Sequence, residues 1–73
     1  MVDNIFGARV KKMREDNNMT QHQLTIALGS SNSTVDNWES YGRMAGGHTI
    51  VKLCKLFNCS ADYLLGLSDV PNP

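Results

Sequence analysis

The stretch Thr20-Gln21-His22-Gln23-Leu24-Thr25-Ile26-Ala27-Leu28-Gly29-Ser30-Ser31-Asn32-Ser33-Thr34-Val35-Asp36-Asn37-Trp38-Glu39-Ser40 decides how this chain folds. Thr20 and Gln23 have the spacing of a capping box, in which a hydroxyl and an amide satisfy two orphan N–H groups at a helix start. That predicts a helix from Gln21 to Leu28, with Leu24, Ala27 and Leu28 on one face. Gly29 suits the left-handed residue that closes such a helix. Ser31 can cap again at once, so a further helix is expected from Asn32 to about Ser40, with Val35, Trp38 and Thr34 facing inward.

Joined through Leu28-Gly29-Ser30-Ser31, the two short helices make a helix-turn-helix unit. Ala27 is small where the helices are expected to approach closely, and Leu24, Leu28, Val35 and Trp38 can fill the wedge between them. Such a unit presents its second helix outward, with polar side chains near that helix's N-terminus able to enter a major groove.

The flanks complete an all-α chain. A first helix is expected to start near Asp3 or Asn4 and run to about Asn17, with Ile5, Phe6, Val10 and Met13 at helical spacing. Asp16-Asn17-Asn18 ends it, because these side chains compete for backbone hydrogen bonds. Tyr41 to Gly47 reads as a loop, and His48 to Phe57 as a fourth helix with Ile50, Leu53, Cys54 and Phe57 on one stripe. Ser60 caps a fifth, Ala61 to Leu65, closed by Gly66. There is no sustained strand alternation and no repeat. The expectation is one domain of five short helices over residues 1–67, with 68–73 a flexible tail ending in Val70-Pro71-Asn72-Pro73.

With 73 residues, 41% hydrophobic and 19% charged, the chain has the composition of a globular domain too small for a deep substrate cavity. No apolar run approaches the ~20 residues needed to span a bilayer, and Met1-Val2-Asp3-Asn4 lacks a signal-peptide pattern, so the expected location is cytoplasmic. Seven Lys+Arg against seven Asp+Glu give a formal charge of zero, which neither announces nor excludes nucleic acid. Cys54 and Cys59 read as reduced core groups, and with His22 and His48 they match no zinc spacing. A phosphate loop, nucleophile elbow or HExxH is absent from the sequence, so neither an enzyme nor a small-molecule substrate, metal or cofactor is expected.

Taken in order, several segments resemble the small phage repressor and Cro-type helix-turn-helix domains, with their lambda-repressor-like bundle. They are Phe6-Gly7-x-Arg9-Val10-Lys11-x-Met13-Arg14, Met19-Thr20-Gln21-x-Gln23-Leu24, Ala27-Leu28-Gly29, Ser31-x-Ser33-Thr34-Val35-x-Asn37-Trp38-Glu39 and Ser60-x-Asp62-Tyr63-Leu64-Leu65-Gly66. The resemblance covers residues 5 to 67 and implies binding to a double-stranded DNA operator. It implies that Gln21 touches phosphate or an outer base, and that Asn32, Ser33 and Asn37 face the bases. Asn can pair bidentately with adenine, and Ser with either base of a pair. Ser31 and the helix-start amides of Asn32 and Ser33 can hold a phosphate. The resemblance also implies a structural ion pair between Arg14 and Glu39.

The chain departs from the family pattern in its charge. Arg43 is the only Lys or Arg between Thr20 and Gly47, and it joins the candidate DNA contacts. Asp36 lies near the groove positions, where it either repels phosphate or accepts from a cytosine amino group. Tyr41 stands where the family often has Gly. Two functions follow: a repressor- or Cro-like regulator that binds DNA as a homodimer through modest half-sites, or an anti-repressor that binds a partner repressor protein and masks its DNA surface. Any oligomer is expected to use exposed apolar residues of the last two helices, such as Tyr63, Leu67 and Val70, or a surface shared with a partner.

Overall fold

A computed structural model describes residues 5–31 and 33–72. Among them are five helices and no strand: α1 (Ile5–Asp16), α2 (Gln21–Leu28), α3 (Thr34–Tyr41), α4 (Gly47–Phe57) and α5 (Ala61–Leu65). The expected start of α1 at Asp3 or Asn4 lies outside the described residues. Packing joins α1 to α3 and α5, α2 to α3 and α4, and α4 to α5.

The boundaries follow from local chemistry. Both halves of the Thr20 capping box form, with the Gln23 amide donating to Thr20 Oγ1 at 3.0 Å and the Thr20 amide to Gln23 Oε1 at 2.8 Å. Gly29 closes α2 at φ 66°. Asn18 takes the left-handed role after α1, at φ 57°, while the Asn17 side-chain amide donates to the Met13 carbonyl. The third helix starts later than expected. Its cap is Ser33, not Ser31, and the Ser31 hydroxyl lies 2.8 Å from that of Thr34 while its carbonyl accepts from the Thr34 amide.

One core unites the helices. Phe6, Val10, Leu24, Leu28, Val35, Trp38, Leu53, Phe57, Cys59, Tyr63 and Leu64 are buried together, and Phe6 meets Trp38 edge-on with ring centroids 5.5 Å apart. At ~100° per residue, the inward arc of α2 is Leu24, Thr25 and Leu28. Ala27 is therefore exposed, and the residue buried at the close approach is Thr25, whose hydroxyl donates to the Gln21 carbonyl at 2.8 Å. That internal bond lets a polar side chain stand inside without penalty.

The segment after α5, expected to be loose, is tied down. Arg9 donates to the carbonyls of Tyr63 and Ser68 at 2.9 and 2.7 Å and to the Asp69 carboxylate at 3.1 Å. Its guanidinium also covers the Tyr63 ring at 4.1 Å. The Ser60 amide donates to the Pro71 carbonyl at 2.9 Å. Tyr63 is consequently buried and cannot serve a dimer surface, whereas Leu67 and Val70 are exposed.

Two outcomes test these packing statements. Gly66 has φ 84° and a Cβ there would lie 2.9 Å from Ile5 Cγ2, whereas Gly29 at φ 66° faces open space. Both Ala substitutions should destabilise by about 1 kcal/mol or more, through backbone strain. Gly66→Ala should cost the more, because the β-branched Ile5 has little freedom to yield; equal urea midpoints would refute the contact. Burial pushes the Cys59 thiol up to about 11, helped by Cys54. A raised pKa means that its stabilisation is complete below about 9 and is lost as pH climbs toward 11. The urea midpoint should fall over that window by more in the wild type than in Cys59→Ala.

Candidate nucleic-acid interface

The candidate face lies on α3. Val35 and Trp38 fix its inner side, and at ~100° per residue the opposite side bears Ser33, Asp36, Asn37 and Ser40. Ser33 and Ser40 are exposed, and Asp36 and Asn37 half-buried. Every residue of that face is polar, and none is basic. The Asp36 carboxylate accepts a 2.7 Å hydrogen bond from the Ser40 hydroxyl one turn on. Ser40 had no role in the sequence reading, although its spacing from Asp36 and Asn37 carried the signal. Tyr41, at the end of α3, is also strongly exposed.

The orientation of that face is set from behind. Arg14 grips Glu39 bidentately, Nε to Oε2 at 2.9 Å and Nη2 to Oε1 at 3.0 Å. The side chains are 11% and 4% exposed, so this is an interior pair. The hydrogen bond with Glu39 raises the Arg14 pKa against the lowering effect of burial. Arg14 also donates to the Met19 carbonyl at 2.7 Å, and the Gln21 side-chain amide donates to Glu39 Oε1 at 3.1 Å. One network thus ties α1, the turn after it, the start of α2 and the last turn of α3. The expected Arg14–Glu39 pair is present, and Gln21 joins it with its amide nitrogen.

The remaining candidates are spread around α3. Ser31 is exposed beside the first turn, engaged with Thr34. Arg43 is exposed just past the Gly42 cap, its backbone amide donating to the Asn37 carbonyl at 3.1 Å. Asn32 lies outside the described residues. Of the other basic side chains, Arg9 is committed to the C-terminal segment and Lys12 pairs with Asp16 at 3.5 Å. Lys52 reaches the Leu28 carbonyl at 3.3 Å, while Lys11 and Lys55 are exposed. Among the described residues no pocket opens, no His/Cys/Asp/Glu group is placed to hold a metal ion, and no helix is long and apolar enough to cross a membrane.

The Helix-turn-helix family model matches residues 10–64. The chain is 31% identical over 69 residues to the HTH-type transcriptional regulator YobD of Bacillus subtilis, covering 94% of this chain and 62% of that protein. It is 36% identical over 65 residues to the HTH-type transcriptional regulator ImmR of the same organism, covering 89% of this chain and 51% of the relative. It therefore spans less than two thirds of either regulator. Among solved structures, the P22 c2 repressor in complex with a synthetic operator is similar with a TM-score of 0.75 and 30% identity, covering 82% of this chain and 91% of that one. The solution structure of the DNA-binding domain of the same repressor matches with a TM-score of 0.75 and 29% identity, covering 89% and 84%.

The interior pair makes its own prediction. Arg14→Ala should destabilise the domain by about 3–5 kcal/mol, because Glu39 is left charged and buried. Replacing both partners with Met should recover much of that loss. A single variant with an unchanged urea midpoint would show the pair to be energetically idle.

Proposed function

Since the chain belongs to the helix-turn-helix family, we propose that it is a sequence-specific DNA-binding transcriptional regulator of the phage repressor and Cro type, acting in the cytoplasm on a double-stranded operator. What carries this reading is the polar outer face of α3, held at a fixed angle by the Arg14–Glu39–Gln21 network. A helix of this kind fits the major groove, where each base pair has its own donor and acceptor pattern. Asn37 is the adenine reader, pairing bidentately with N6 and N7, and Ser33 contacts a neighbouring base. Asn32 belongs to the same proposal on its sequence position. Ser31 and Arg43 hold the flanking phosphates, and Gln21 braces the start of α2 against the backbone of the duplex.

Few phosphate contacts are available from α3 itself, so two copies on adjacent half-sites supply the affinity that one lacks. That scarcity of Lys and Arg is also the observation favouring the second reading, in which the same surface covers a partner repressor. Binding to the protein's own upstream DNA across a salt series, with and without a neighbouring repressor, separates the two. DNA binding alone should show log K falling steeply with log salt, in proportion to the phosphates neutralised. Asn37→Ala should weaken specific binding by about 1–3 kcal/mol while leaving non-specific binding intact. Operator affinity unchanged in that variant would remove Asn37 from the reading, and no DNA binding alone together with a tight complex with the repressor would favour the masking role.

A further inference from the structure

We propose that Asp36, oriented by Ser40, selects a cytosine in the operator by accepting a hydrogen bond from its exocyclic amino group; this rests on the DNA-binding reading above. The carboxylate is on the outward face of α3, and its Oδ1 accepts the Ser40 hydroxyl at 2.7 Å. Among the described residues, Arg9, Lys12 and Arg14 have acidic partners elsewhere, and no Lys or Arg pairs with Asp36. A negative side chain brought toward a polyanion without a neighbouring cation is a cost, unless a donor meets it there.

The major groove offers few donors. Guanine presents N7 and O6 and thymine presents O4, all acceptors that a carboxylate repels. Adenine has its N6 amino group, but the adjacent N7 acceptor faces the same side chain. Cytosine alone presents N4–H2 with no acceptor of its own beside it, so it is the base that a carboxylate fits. Ser40 makes the arrangement directional. Its hydroxyl occupies Oδ1 along the helix, which leaves Oδ2 to accept from the base and restricts the rotation of the carboxylate. Ser40 is thus a positioning residue. The acid also rejects misplaced registers, in which it would meet phosphate or an acceptor edge.

Selection from a randomised duplex library tests the assignment, using the wild type, Asp36→Ala, Ser40→Ala and Ser40→Thr, each with helical content checked by circular dichroism. The wild type should select a motif containing a cytosine position that becomes degenerate in Asp36→Ala, weakens in Ser40→Ala and returns in Ser40→Thr. Replacing that cytosine by a pyrimidin-2-one nucleoside, which lacks the amino group, should weaken wild-type binding about tenfold and leave Asp36→Ala unchanged. An identical motif for the wild type and Asp36→Ala would overturn the cytosine assignment while leaving the DNA reading intact. A motif that depends on Asp36 through another base would overturn it as well. If the wild type selects no motif, the DNA reading falls, and this inference with it.

Discussion

The arrangement of the domain depends on the interior pair of Arg14 and Glu39. Apolar packing by Leu24, Val35 and Trp38 holds α2 and α3 together but is not directional, and on its own it would permit α3 to rock about its buried side. A bidentate guanidinium–carboxylate contact is directional, and its distances leave little latitude. Desolvating both charges is expensive and is tolerated only where their remaining hydrogen-bonding capacity is used. Here the Met19 carbonyl and the Gln21 amide use it. The angle at which α3 leaves the body, and with it the presentation of Asn37 and Asp36, is set by largely buried groups behind that face.

Much of this was legible in the chain itself. Thr20, Gln23 and Gly29 specify α2 to the residue because caps act on neighbouring backbone groups, and the chemistry is local. Ser60 and Gly66 define α5 in the same way. The start of α3 was harder, since Ser31 and Ser33 are both competent caps and the choice depends on how the turn meets α2. The Ala27 expectation failed for a related reason. Size and hydrophobicity suggested an inward Ala, whereas the helix phase buries Thr25, whose hydroxyl finds its own partner within α2. Ser40 and the reach of Arg9 to residues 63–69 escaped because they require knowing which side chains the fold brings together. That Ser33, Asp36 and Asn37 lie opposite Val35 and Trp38 follows from ~100° per residue, whereas a base-facing role for Ser33 and Asn37 is what the family resemblance implies.

The formal charge balance hides an uneven distribution. Arg9 and Arg14 are engaged within the fold, and Glu39 with Arg14, while Asp36 stays on the outer face of α3. Arg43, Lys11 and Lys55 are exposed. Discrimination at such a surface comes more from matched donors and acceptors than from general attraction to a polyanion.

The clasp formed by Arg9 joins residues about sixty positions apart in sequence, near the start and end of the described chain. Contacts of such separation are entropically costly to form, so they come late when local turns have already closed. In reverse, release of the strap beyond α5 would free the Ser60 amide from the Pro71 carbonyl and the Arg9 guanidinium from Ser68 and Asp69. The Arg9 contacts and the Arg14–Glu39–Gln21 network share no residue, so loss of the first leaves the second in place.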